Sequence, residues 1–191
     1  MQITPQILEN HIVRLEPLTE LHREPLRPLA NDMSMWPQTK MQGNGEHFDT
    51  WFDAMLNATN AGKQISHAVF SKASDQYVGH SAYLVISADH KRLEIGWTWY
   101  EASVRGSKIN PACKRLLIGN AFDNGAERVE LKTAAVNKRS QAAMRKMGAT
   151  EEGTFRRHIL TWSGEWRDTV WFSILKEEWP SAQDGLDARL V

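Results

Sequence analysis

The order of hydrophobic periodicities along this chain predicts a mixed α/β fold built as one domain. Three observations carry that prediction. Strand-like runs at Ile65–Ser71, 77–86 and 93–100 follow one another with short breaks, the pattern of an antiparallel meander. Helical and strand-like segments then alternate through residue 148, and the chain closes on a hairpin signature at 159–175. The length suffices for one substantial core, and no shift in composition calls for a second domain.

Residues 11–15 alternate weakly as an opening strand, and Leu21, Leu26 and Leu29 then suggest a helix. Residues 31–45, with Met33, Met35, Trp36 and Pro37, hold no steady period and read as a loop. Phe48, Trp51, Phe52, Met55 and Leu56 recur at three- and four-residue steps, marking an amphipathic helix over 45–61 that Gly62 stops. After the meander, a helix from Pro111 carries Cys113, Leu116, Leu117 and Ala121 on one stripe, widened by Phe122, and ends at Gly125. Arg128–Ala134 alternates as a strand. A helix capped by Asn137 runs to Gly148, with Ala143, Met144 and Met147 on one face. Strands at 159–162 and Trp166–Leu175 flank the turn Ser163-Gly164-Glu165. The expected core spans 8–180, leaving 181–191 as a short tail.

With 23 basic and 23 acidic residues the chain is neutral, which argues against duplex nucleic acid or an anionic membrane as the main partner. Cys113 is the single cysteine, so no internal disulfide forms. No apolar run reaches membrane-spanning length, and the expected location is cytoplasmic. His67, His80 and His158 fall in strand-like runs whose spacing makes no metal set, so no metal is expected.

The most informative segment is 99–111, a strand end, a basic turn and a helix start in succession. Asn110 is a good N-cap residue and Pro111 suits the first helical position. Free N–H groups of Gly106, Ser107, Lys108, Ile109 and Ala112, with Arg105 and Lys108, then make an anion site fit for a phosphate.

Glu94-Ile95-Gly96-Trp97-Thr98-Trp99, Arg105-Gly106, Asn110, Arg128-Val129-Glu130-Leu131-Lys132-Thr133, Asn137-x-Arg139-Ser140, Met147-Gly148-Ala149 and Glu152-Gly153-x-x-Arg156 follow in that order. Together they resemble the GNAT superfamily of N-acetyltransferases, and within it the RimJ/RimL-like branch that acts on ribosomal-protein N-termini. The resemblance implies a mostly antiparallel sheet of six or seven strands flanked by about four helices. It also implies acetyl-CoA as cosubstrate, a primary amine as acceptor, and direct attack in a ternary complex. The cofactor arm would lie between strands 93–100 and Arg128–Ala134, contacting Trp97, Thr98, Trp99, Arg105, Gly106, Ser107, Lys108, Ile109, Asn110, Asn137 and Ser140.

The same resemblance makes Ser140 the proton donor to the departing thiolate, although a polar residue in a helix's first turn is its other reading. Glu94, on the strand face shared with Gly96 and Thr98, is either the acceptor of the amine proton through water or a carboxylate paired with a neighbouring strand. Asn137 reads first as a helix cap. Trp36 either lines the acceptor pocket or anchors its loop. Trp97, Trp99, Trp162, Trp166 and Trp171 read as packing residues, and Lys114 with Arg115 either reach a cofactor phosphate or form a solvated helix face. Lys108 stands where the superfamily pattern has a small residue. It either reaches a cofactor phosphate or weakens cofactor affinity, and a binding module without transfer activity is the alternative function. A homodimer paired through terminal strands is compatible with the resemblance, though no interface is marked in the sequence.

Overall fold

The computed structural model describes residues 1–191. Eight strands form one sheet in the order β1-β2-β3-β4-β5-β6-β8-β7. They are β1 (Leu8–Glu9), β2 (Val13–Pro17), β3 (Ile65–Ser71), β4 (Gln76–Ser87), β5 (Arg92–Tyr100), β6 (Arg128–Ala134), β7 (Thr150–Leu160) and β8 (Trp166–Leu175). Every neighbouring pair is antiparallel except β5 with β6. The five helices are α1 (Arg23–Leu26), α2 (Phe48–Asn60), α3 (Ile109–Asp123), α4 (Lys138–Lys146) and α5 (Trp179–Asp187).

Apolar residues on alternate strand positions divide the core in two. Leu93, Ile95, Val129, Leu131, Phe172 and Ile174 pack on one face of the sheet with Cys113 and Leu117 of α3, Met144 of α4 and Trp179 of α5. Trp51, Phe52 and Met55 of α2 cover part of the other face, joined by Trp36 and Trp99. The mixed α/β architecture is therefore as expected, with one or two strands and one helix more than the sequence suggested.

The differences have physical causes. The helix expected through Leu21, Leu26 and Leu29 is instead a four-residue α1 between single 3-10 turns, because Pro28, which has no N–H, stops it and opens the second turn. Leu21 is 86% exposed while Leu26 is fully buried. Helix α3 begins at Ile109, so Asn110 lies inside its first turn and is not the cap; the Ile109 N–H is met by Ser107 Oγ at 3.2 Å. Most of β7 was not anticipated, since it is an edge strand exposed on both faces and thus lacks an alternating pattern. The expected tail at 181–191 instead holds the end of α5, with Ala182, Leu186 and Leu190 buried in the larger core. Trp162 and Trp166 are partly exposed rather than packed within the core.

Candidate active site

Two features of β5 open a cleft in the sheet. Its parallel pairing with β6 covers only Arg92–Glu94 against Arg128–Glu130, after which β5 follows β4 and β6 follows β8. Beyond Glu94, the backbone groups of β5 that face β6 have no strand partner. The second feature is a bulge. His80 pairs with Trp99 and Ala82 with Gly96, so Ser81 alone opposes both Trp97 and Thr98. Trp97 takes a left-handed backbone conformation with φ +47°. For a tryptophan this is strained and must be held by its surroundings.

His80 supplies part of that hold. Its Nδ1 lies 2.8 Å from the Trp97 carbonyl oxygen. A carbonyl only accepts, so Nδ1 carries the proton. Complete burial pushes the His80 pKa down to about 4, which keeps the ring neutral. Its ring stacks on Trp99 and meets Trp51 edge-on, locking its orientation. The bulge also corrects one expectation. Glu94 and Gly96 share a face, but the extra residue turns Thr98 to the α3 face, where its Oγ1 accepts from Lys114 Nζ at 2.9 Å and lies 2.7 Å from Ser81 Oγ.

The cleft has a volume of about 680 Å³ and passes from the turn before α3, through the β5/β6 fork, to the loop around Trp36. Of the expected site residues, Glu94, Trp97, Thr98, Trp99, Arg105, Gly106, Ser107, Asn110, Asn137, Ser140 and Trp36 line it. Lys108 and Ile109 do not. Ile109 is buried in the larger core, and Lys108 Nζ points away to the backbone oxygens of Leu190, at 3.3 Å, and Val191. Nor does the Lys108 backbone demand glycine, for its φ is −70°. Gly106 is the residue with positive φ, +81°, and an added Cβ there would meet nothing within 4 Å.

Arg105 fixes this turn. Its Nε donates to the Tyr100 carbonyl at 2.8 Å, and Nη1 lies 2.7 Å from Asp32 Oδ2 in the loop before Trp36. Nη2 is buried without a partner. Asn137 is a cap as expected, accepting from the Ser140 N–H at 3.1 Å, which brings the Ser140 side chain to the cleft at the start of α4. Trp36 anchors its loop, its indole donating to the Ala30 carbonyl at 2.9 Å and its ring packing on Trp51 and Trp99, and it also lines the cleft.

Glu94 is 2% exposed, with Lys132 Nζ 2.6 Å from Oε2. That contact is electrostatic, since Oε2 has no donor at hydrogen-bonding angles. Burial raises the Glu94 pKa, and Lys132 opposes the rise without cancelling it. The reading of Glu94 as a carboxylate paired with a neighbouring strand is thus met by Lys132 of β6. Three further charged residues line the cleft. Lys114 is buried against Thr98, and burial lowers its pKa to about 8. Lys132 and Arg167 sit on the same sheet face as Glu94, a placement set by the β6/β8 pairing and signalled by no motif.

A partly split sheet, a strained bulge at the fork and a glycine turn leading into a helix define the architecture of a GNAT acetyltransferase. The acetyltransferase (GNAT) domain family matches residues 13–150, and the chain belongs to that family. YdaF of Bacillus subtilis (strain 168), provisionally named a ribosomal N-acetyltransferase, is 34% identical over 91 residues. That alignment takes in 47% of this chain and 49% of YdaF, so the chain spans about half the length of this relative. A GCN5-related N-acetyltransferase from Brucella melitensis superposes with a TM-score of 0.91 at 27% identity, over 99% of this chain and 87% of that one. Mycobacterium smegmatis RimJ, solved with CoA-disulfide, shares the fold with a TM-score of 0.81 at 20% identity, over 96% and 94% of the two chains.

Proposed function

We propose that this protein transfers the acetyl group of acetyl-CoA to a primary amine by direct attack within a ternary complex. The observation that carries the reading is the β5/β6 fork, which opens beside the Gly106 turn and the start of α3. The residues suit the cosubstrate. Unpaired β5 backbone groups beyond Glu94 match an extended amide-bearing arm, and the open space over Gly106 lets phosphate approach the N–H groups of Gly106 and Lys108; those of Ser107, Ile109 and Ala112, expected to be free, instead donate to the Val104 carbonyl, Ser107 Oγ and the Lys108 carbonyl. Arg139, and Arg189 from the chain end, add positive charge to the cleft.

Acetyl-CoA supplies the activated thioester. Backbone N–H groups at the Trp97–Thr98 bulge are held to stabilise negative charge on the thioester oxygen. Glu94, with its raised pKa, accepts the amine proton through water as the nitrogen–carbon bond forms. As the carbon–sulfur bond breaks, the Ser140 hydroxyl donates a proton to the leaving thiolate and is reprotonated from solvent. Cys113, fully buried with its pKa pushed up to about 12, takes no part. The motive for a binding-only module was Lys108 in the phosphate turn, and that side chain points elsewhere.

Thermal denaturation with acetyl-CoA tests the reading. A cosubstrate at 100 times its Kd adds about 2.7 kcal/mol, or roughly 5–10 °C in a chain of this size. Thiol release in the presence of primary amines is the second expected result. A saturating dose that leaves the melting temperature unchanged sinks the proposal.

A further inference from the structure

The charge in the cleft is lopsided. Although the chain as a whole is neutral, the lining contains eight lysines and arginines and one carboxylate, Glu94. Phosphates of the cosubstrate account for Arg105, Arg139 and Arg189 near the α3 and α4 ends. They do not account for Lys40, Lys132 and Arg167, which lie on the side of the sheet where Glu94 points.

Of these three, Lys132 is matched by Glu94. Arg167 feels the Glu94 charge, which opposes the lowering of its pKa by burial, but forms no ion pair with it. Its Nη1 donates to the Gln38 carbonyl and its Nη2 to Thr169 Oγ1 at 3.2 Å, while Nε is buried with no partner and no carboxylate lies at ion-pair distance. A guanidinium held this way at a cleft wall retains its full charge and an unmet donor, a costly arrangement unless a ligand completes it. Lys40 also lacks a carboxylate partner; its Nζ lies 5.9 Å from the centre of the Trp97 ring, at the bulge. Ile159 lines the same part of the cleft, and Trp171 flanks Lys132 at 4.9 Å.

We propose that the acceptor is an anionic amine, its nitrogen placed by Glu94 and a carboxylate on the same molecule held by Arg167, with Lys40 adding attraction. This rests on the transfer reading above. A planar carboxylate fits the flat edge of a guanidinium, and Arg167 Nε is the donor left without a partner to meet it. The same cations disfavour a protonated amine, so they help present the nitrogen in its reactive neutral form. Two sources share this chemistry: a free amino acid, through its α-carboxylate, and a peptide whose first residue is acidic.

Matched acceptors separate the two and test the idea. Rates of thiol release are compared for glutamate against glutamic acid diamide, and for the peptide amides Glu-Ala-Ala against Gln-Ala-Ala. At least one carboxylate member is expected to exceed its neutral partner about tenfold in kcat/KM, matching one lost charge-assisted contact. Arg167→Gln should erase that ratio while keeping the thermal shift with acetyl-CoA. Lys40→Gln, which leaves the Gln38 and Thr169 contacts intact, should reduce the ratio even if Arg167→Gln does not fold. Ratios near unity in both pairs, or a ratio unchanged in the variants, overturn the inference while leaving the transfer reading standing. Absence of transfer to every amine, with no thermal shift, removes the transfer reading and this inference with it.

Discussion

The proposed roles of Ser140 and Glu94 differ, and single substitutions should separate them. Glu94 must be ionised to take a proton, and burial raises its pKa, so activity should fall as pH drops through that raised value. Glu94→Gln should flatten this acidic limb and lower kcat about 10²- to 10⁴-fold, the usual range for a general base. Ser140→Ala should lower kcat with the acidic limb intact, as read from pH–rate profiles of the two variants. An acidic limb that survives in Glu94→Gln would reassign the base. Both residues were legible in the sequence through the order of motifs around them. Lys114 was not: a lysine beside an arginine on a helix reads as solvated, and only the tertiary contact with Thr98 shows it buried.

Among the elements, the turn before α3 and the bulge in β5 shape the cleft. The turn is visible in the sequence because glycine, basic residues and a helix start occur together, but Asn110 lies inside the helix rather than at its cap, and Lys108 and Ile109 face away from the cleft. Lys108 was expected to stand in a glycine's conformation, whereas it has ordinary helical backbone and an outward side chain. Lys108→Gly should therefore change acetyl-CoA affinity by no more than about twofold, as for a substitution outside a site. Gly106→Ala should weaken binding, because an L-residue at φ +81° costs about 1 kcal/mol and distorts the turn's N–H groups. Titration calorimetry of both variants with acetyl-CoA gives the comparison. An affinity gain in Lys108→Gly would restore the original role of that lysine. The bulge itself left no trace in the sequence, since Trp97 is an ordinary strand former and its left-handed backbone depends on His80 across the sheet.

At the scale of the whole molecule, two histidines link stability to pH. His80 and His67 are buried, and desolvation lowers their pKa values to about 4 and about 3. In the unfolded chain each would titrate near 6.5, so the unfolded state binds protons as pH falls below that value while the folded state does not. Stability is thus full above about pH 6.5 and declines on acidification. Each histidine should remove about 2 kcal/mol between pH 6.5 and 5. Urea unfolding at pH 7.5 and pH 5 should show the loss, and His67→Phe should reduce it. Equal stability at both pH values would mean that the rings are charged or solvated in the folded protein.

The sequence by itself determined the alternation of strands and helices and the glycine turn before α3, because each is written in local periodicity or in residues adjacent along the chain, and the class of chemistry followed from the resemblance its ordered motifs carry. Tertiary structure alone decided where the sheet splits, which way Thr98 and Lys108 point, and that Lys40, Lys132 and Arg167 gather on the face of Glu94. Those outcomes depend on strand register and on pairs far apart in sequence, and a one-residue bulge suffices to reverse which face a side chain occupies.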